Sequence, residues 1–301
     1  MDNWEIILIT VLIIIFMGAI LKLLDYGFYK QLYLIYFLQT PSSPISILGR
    51  HNVNPKDKKI ISLSLFGNRE YYFNHVRKMS NDVKTYFPGW KIRIYIHYKV
   101  KSNIIEDFIK RDCQIFIVKQ DNVTPSDSTF WRFLAAEDDV IFVSRDVDYQ
   151  LNHQDYKLTE NWIKEGKTKF IKYMPSCWKD RFFLGNFNHK YLVRNFWAGF
   201  WGGRDRCVPD MLDRINNFRF RKHWHSDELF LETIIWNEYC KNANIKVIMD
   251  KSYYKKKLIE KKEDFVEIEF ADLLLKDKLK KMEGVASIKK FIEFYENQRM
   301  R

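Results

Sequence analysis

An α/β fold with a mostly parallel central sheet flanked by helices, preceded by an N-terminal transmembrane helix, is the class that three observations on this 301-residue sequence predict. Short β-rich apolar runs alternate with helix-like stretches between about residues 58 and 254. The first such run ends at Gly67-Asn68 and the fourth in the mostly polar residues Ser144 to Asp148. A long uncharged apolar segment stands near the start. Strands that alternate with helices build parallel sheets covered on both faces, and in such sheets ligands bind beyond the carboxyl ends of the strands.

The elements follow in chain order. Ile6 to Leu21 (IILITVLIIIFMGAIL) carries no charge, and Leu23 and Leu24 extend it past Lys22. That approaches the ~20 apolar residues a membrane crossing needs. Asp2 and Glu5 replace a basic leader and no small-residue cleavage site follows, so residues 1–25 read as an uncleaved single-pass anchor. The alternative is a buried helix that the rest of the fold must cover all round. Lys22, Lys30 and Arg50 follow the segment and no Lys or Arg precedes it, which places the bulk of the chain on the cytosolic side. The sequon Asn122-Val123-Thr124, followed by Pro125, is weak evidence for a lumen. Residues 26–57 read as an aromatic interfacial stretch (YGFYKQLYLIYFL) and then a stem with Pro41, Pro44, Gly49 and Pro55.

From residue 58 the pattern changes. Ile60 to Phe66 is a strand ending at Gly67-Asn68, Arg69 to Phe87 a helix stopped by Pro88-Gly89, and Lys91 to His97 an alternating strand. Ser102 to Arg111 reads as a helix, Gln114 to Val118 as a strand, Ser128 to Glu137 as helical, and Val140 to Val143 as a strand. Residues 255–301 form a basic, helix-prone region in which Lys255, Lys256, Lys257, Lys280 and Lys281 could rest on anionic lipid headgroups.

Composition bounds the function. With 24 Phe, 17 Tyr and 9 Trp the chain is folded, and 11 Gly with 7 Pro exclude a linker-dominated protein. The excess of 50 Lys+Arg over 38 Asp+Glu, net +12, suggests an anionic partner: nucleic acid, a membrane surface or a phosphorylated small molecule. Nucleic acid is the weakest, since the basic residues are spread among acids and no binding module is visible. Cys113, Cys177, Cys207 and Cys240 are too widely spaced for a zinc site or a disulfide framework and read as free thiols.

No glycine-rich phosphate loop of either common kind is present. What does follow the VIFV strand is Arg145-Asp146-Val147-Asp148. Two carboxylates one residue apart are hard oxygen ligands suited to Mg2+ or Mn2+, and such an ion can bridge a diphosphate and neutralise its charge as it leaves. A bare DxD is usually a solvated loop; its position after a strand of an alternating pattern gives it weight.

Several segments taken together resemble a known family. Ser62 to Asn68 (SLSLFGN), Phe87-Pro88-Gly89-Trp90, Phe130 to Ala136 (FWRFLAA) and Arg145 to Asp148 are similar, in order and spacing, to DxD-containing glycosyltransferases of the GT-A fold. Trp197 to Gly203 (WAGFWGG) resembles their glycine-rich segment, and Ser226-Asp227-Glu228-Leu229-Phe230-Leu231 their acidic helix start. The resemblance implies a nucleotide-sugar donor against Phe66, Gly67 and Asn68, with Trp131 and Arg132 on the nucleotide side. It implies Asp146 and Asp148 on ribose and metal-diphosphate, and Trp201, Gly202 and Gly203 at the donor. Asp227 matches the family's acid that contacts the donor sugar or acts near the reacting carbon and is the catalytic candidate, with Glu228 in reserve. A glycan, lipid or protein hydroxyl would accept the sugar.

Each residue also has a structural reading. Arg132 could pair at the surface with Glu137 or Asp139, and Trp131 could be core. Trp197 and Trp201 could be core residues of a strand whose glycines mark a bulge. Asp227 could merely favour the helix dipole behind Ser226 as N-cap. The family's third metal ligand, a His after the last core strand, has no counterpart here; Asp250 is the substitute, unless water completes the shell. His223 and His225 share a strand face but lack a third ligand and read as surface residues. A catalytically inactive, membrane-tethered module that binds glycans or nucleotide-sugars on the same fold is the rival to the enzyme.

Overall fold

The computed structural model describes residues 42–174, 196–222, 225–240, 245–250 and 266–271. The expected anchor and interfacial stretch, Cys177, His223 and most of the basic region after residue 250 lie outside the described residues. Among the described residues no helix is long and apolar enough to cross a membrane.

Among the described residues nine strands form one mixed sheet: β1 (Ser46–His51), β2 (Lys59–Leu65), β3 (Lys91–His97), β4 (Gln114–Lys119), β5 (Ile141–Ser144), β6 (Phe170–Met174), β7 (Trp201–Gly203), β8 (Ile245–Asp250) and β9 (Val266–Ala271). Their order is β1-β4-β3-β2-β5-β7-β6-β8-β9. Neighbours β4, β3, β2 and β5 are parallel, β7 runs antiparallel between β5 and β6, and β6, β8 and β9 are again parallel. β1 pairs antiparallel with β4 across a bulge, so part of the stretch read as a stem is an edge strand. Likewise β9 lies within the region read as helical and basic.

Strict alternation along each strand sorts side chains between two layers. Ile61, Leu63, Leu65, Ile92, Ile94 and Ile96 face the first, with helices α1 (Glu70–Tyr86), α2 (Ser102–Lys110) and α4 (His153–Glu165). Ile60, Tyr95, Phe116 and Phe142 face the second. That layer holds the short α3 (Pro125–Ser128), a 3-10 helix (Trp131–Glu137), α5 (Met211–Asn217), α6 (Ser226–Phe230) and the π-helical turn Leu231–Cys240. The helix expected over Ser128 to Glu137 is thus a tight 3-10 segment behind a capped α turn, in which Thr124 and Asp127 exchange bonds and Pro125 opens the helix. Cys113, Cys207 and Cys240 are buried free thiols.

The chain leaves β2 outward through β3 and β4, then returns to β5 on β2's other side. The loops after β2 and β5 therefore diverge at the carboxyl edge of the sheet, the topological switch point at which sheets of this kind form their crevice. On its far side α4 begins with Asn152, whose side chain accepts from Asp155 N at 2.9 Å, and ends at Gly166 in the left-handed region. Replacing Asn152 with Ala should cost about 1 kcal/mol. For a domain of this size that is a fall of roughly 2–4 °C in Tm, measurable by calorimetry.

Candidate functional site

The crevice is organised by Arg132. β2's alternation puts Ser62 and Ser64 on the face of the 3-10 helix, where the Ser62 hydroxyl donates to Arg132 O (2.6 Å) and Arg132 N donates to Ser64 Oγ (2.8 Å). With its backbone held twice by β2, Arg132 extends a buried guanidinium into the crevice. Nη1 donates to Asp146 Oδ1 at 2.5 Å and Nη2 to Asp227 Oδ2 at 3.2 Å. Asp146 and Asp227, 81 positions apart by number, thus meet on one cation. The surface pairs open to Arg132 are made otherwise: Glu137 accepts from Leu212 N, and Asp139 pairs with Lys58.

Asp146 and Asp148 do not lie on extended backbone. Tyr149 N donates to Asp146 O at 3.0 Å and closes a turn around Val147 and Asp148. The Asp146 side chain remains 45% exposed although Arg132 grips one oxygen. Asp148 lies two residues on in the same turn, half-buried.

Asp227 sits in the first turn of α6, buried, and Oδ1 accepts from Glu228 N at 3.0 Å. Ser226 is not the N-cap its residue type suggests. His225 holds that position in a left-handed conformation (φ 60°), and the Ser226 hydroxyl donates to Arg221 O. Glu228 pairs with His225 Nδ1 at 2.8 Å, so His225 belongs to the helix start rather than to a histidine metal pair. Burial pushes the Asp227 carboxyl above the usual carboxylate range; the Arg132 charge offsets part of this and Glu228 adds to it.

Beyond β2, Gly67 takes φ 80°, a turn conformation that favours glycine. Phe66 meets His97 and Trp131 edge-on, with centroids at 5.3 and 6.2 Å. Trp131 is buried, stacks on His97, and donates its indole N–H to Gln120 Oε1 at 2.8 Å. It supports the loop from behind rather than offering an open face. His97 at the end of β3 and Gln120 just after β4 were not singled out in the sequence; their signal was position, since each stands at the carboxyl end of a parallel strand.

The glycine-rich segment divides. Trp201 is fully buried among Phe133, Phe142 and Phe196, and Trp197 packs on Phe200. A methyl on Gly202 would stand 2.3 Å from the Phe142 carbonyl oxygen, and one on Gly203 2.3 Å from Cys207 Sγ. Packing of β7 accounts for both glycines and for Trp201, so none of the three offers an open backbone or ring face to a sugar. Gly199 differs: its added methyl would lie 2.5 to 2.9 Å from the carboxyl atoms of Asp146. Asp250 ends β8 at the same sheet edge, three strands from β5, and its side chain is outside the described residues. Among the described residues no three His, Cys, Asp or Glu cluster as a metal site.

No family model matches the chain, and no curated protein is significantly similar to it in sequence. Among solved structures it is similar to a mannosyltransferase, PcManGT from Pyrobaculum calidifontis, in complex with GDP-Man and Mn2+. The identity is 9% and the TM-score 0.40, over 78% of this chain and 61% of that one. The chain thus spans less than two thirds of that structure, and a likeness this shallow fixes no activity.

The glycines separate two roles experimentally. Gly202→Ala presses on backbone and should cost about 1–3 kcal/mol in urea unfolding. Gly199→Ala can be accommodated by moving the Asp146 side chain, so it should lose less stability but disturb whatever Asp146 binds. For Asp227, the folded chain favours the protonated form. Its contribution is most favourable below the ordinary carboxylate pKa and declines as pH rises through that value toward the raised one. Asp227→Asn should abolish this decline, so the wild-type Tm should fall relative to the variant's as pH rises through the window.

Proposed function

We propose that the protein is a glycosyltransferase that moves a sugar from a nucleotide-sugar donor to an acceptor hydroxyl. The observation that carries this is the Arg132 bridge at the topological switch point, which sets a buried carboxylate, Asp227, beside a half-buried carboxylate turn, Asp146–Asp148. A nucleotide lies naturally across such a crevice. Phe66, Gly67 and Asn68 on the β2 loop would face base and ribose. The Arg132 fork, geometrically suited to phosphate oxygens, would meet the diphosphate.

The donor set fits a divalent ion. Asp146 keeps part of its carboxylate exposed beside Arg132 and Asp148 follows it in the same turn, and Mg2+-type ions are commonly held by one or two carboxylates while substrate phosphates and waters complete the shell. Asp148 would hold the ion, with Asp146 shared between it and Arg132. A bound Mn2+ or Mg2+ supplies charge that stabilises the departing diphosphate. Asp227 would take the proton from the acceptor hydroxyl as its oxygen attacks the anomeric carbon. The bond from that carbon to the phosphate oxygen breaks, its electron pair leaving with the nucleoside diphosphate. Burial raises the affinity of Asp227 for a proton and so makes it a stronger base than a solvated carboxylate. This assignment requires inversion at the anomeric carbon; retention would assign Asp227 to orienting the donor sugar.

The apolar run at 6–21 would anchor the enzyme with its domain on the cytosolic side, near glycan, lipid or protein acceptors and membrane lipids. A thermal-shift screen of UDP-, GDP- and CMP-sugars with and without Mn2+ tests the reading. One nucleotide class should raise Tm in a metal-dependent way, since a ligand at a hundred times its Kd adds about 2.7 kcal/mol. Asp148→Ala should keep the wild-type Tm without ligand and lose metal-dependent turnover. Full transfer or donor hydrolysis by that variant would sink the mechanism, and donor binding without turnover by the wild type would favour the inactive binding module.

A further inference from the structure

Arg145 stands between the end of β5 and the Asp146–Asp148 turn and has no place in the scheme above. It is fully buried and paired with Asp155, which is nearly so. Its fork is spent on three bonds: Nε to Asp155 Oδ2 (3.1 Å), Nη2 to Asp155 Oδ1 (2.6 Å) and Nη1 to Ser144 O (2.7 Å). The guanidinium carbon lies 5.1 to 5.7 Å from the ring centroids of Tyr149, Tyr173 and Phe200. Arg145 N also continues the ladder to Ser62 O of β2 (3.1 Å).

The pair closes a loop on itself. The chain leaves β5 at Arg145, makes the turn, and comes back at Asp155 in the first turn of α4. There Asn152 caps the Asp155 N–H, and Asp155 O accepts from the Thr159 hydroxyl at 2.8 Å. Phe200, one face of the aromatic cage, adjoins Gly199, whose missing side chain leaves room for the Asp146 carboxylate. Tyr173 N donates to Phe200 O at 2.9 Å, which fastens that segment to β6. Strand β5, helix α4 and the Gly199 segment therefore meet on one guanidinium, and the two turn carboxylates hang from it.

A buried ion pair is a poor source of stability, because an apolar pair of similar volume often does as well or better. Something other than stability accounts for its presence directly beside Asp146. We propose, on the donor-site reading above, that Arg145 and Asp155 are positioning residues that set the placement of Asp146 and Asp148 toward the metal ion and the donor diphosphate. Neither touches substrate; both act through the turn.

The test uses the full chain with three variants: Arg145→Lys, Asp155→Asn and the double variant Arg145→Met/Asp155→Leu. Readouts are Tm, Mn2+ binding by titration, the Mn2+-dependent thermal shift given by the nucleotide-sugar that stabilises wild type, and separate KM values for donor and acceptor. Asp155→Asn leaves the Arg145 charge buried without its partner, and Arg145→Lys loses fork bonds, so both single variants should lower Tm. The double variant removes both charges and should keep Tm near wild type. It should nonetheless weaken Mn2+ binding and raise donor KM about tenfold, leaving acceptor KM unchanged. Arg145→Lys, which keeps the charge but loses the fork, should fall between wild type and the double variant in donor KM. Wild-type Mn2+ binding and donor KM in a stably folded double variant would overturn the proposal, as would equal losses toward donor and acceptor that track Tm in all three. A wild-type chain that binds neither Mn2+ nor any nucleotide-sugar would overturn the functional reading itself, and this inference with it.

Discussion

One guanidinium holds the crevice together. Arg132 spans the gap between the turn after β5 and the start of α6, and each of its terminal nitrogens is committed to a different carboxylate. Without it Asp227 would be a buried acid with no cation, and burial would push it further toward the neutral form. The constraint acts on the scaffold too. A charge bridging two elements keeps its geometry only if its own backbone is immobile, and the two β2 serines hold the 3-10 helix at that residue. The tight 3-10 segment, the short polar interruptions of β2 and the placement of α6 are all consequences of putting a cation at this point.

The sheet shows the same economy of placement. β7 runs antiparallel between β5 and β6, and at Gly202 it leaves no room for a side chain against the Phe142 carbonyl. That close fit brings the preceding Gly199 up to the Asp146 carboxylate. A second cation, Arg145, lies beneath the turn, fully desolvated and surrounded by rings. Two arginines therefore bracket the carboxylate turn, one sharing Asp146 with the crevice and the other fastening the turn's base to α4. Both are forks, and a lysine at either position would hold one partner where the guanidinium holds two or three.

Much of the scaffold was legible beforehand because it rests on local patterns. The run from β2 to β5 shows alternation or continuous apolar stretches between helix-like segments, and its boundaries fall within a residue or two of those expected. Edge strand β1 was hidden by the prolines around it, and β9 by the surrounding lysines. Ser128 to Glu137 was read as helical without distinguishing a 3-10 from an α form, because residue type does not separate the two. Within the site, the DxD turn and Asp227 were visible as motifs. Ser62, Ser64, His97 and Gln120 were not, since a lone polar residue in a strand announces nothing until its neighbour across the fold is known.

The chain's local chemistry settled what its residues could be: strand or helix, buried or solvated, hard ligand or apolar wall. These properties depend on side chains a few positions apart and are written into the order of residues. Which groups meet was decided only by the tertiary structure. Arg132 could have paired with Glu137 or Asp139 nearby, and instead reaches Asp146 and Asp227 because the sheet's reversal between β2 and β5 brings those segments together. Trp201, Gly202 and Gly203 read equally well as a sugar platform or as a packed strand, and the antiparallel insertion of β7 made them the strand. A long-range pairing is a property of topology, and no window of residues contains it.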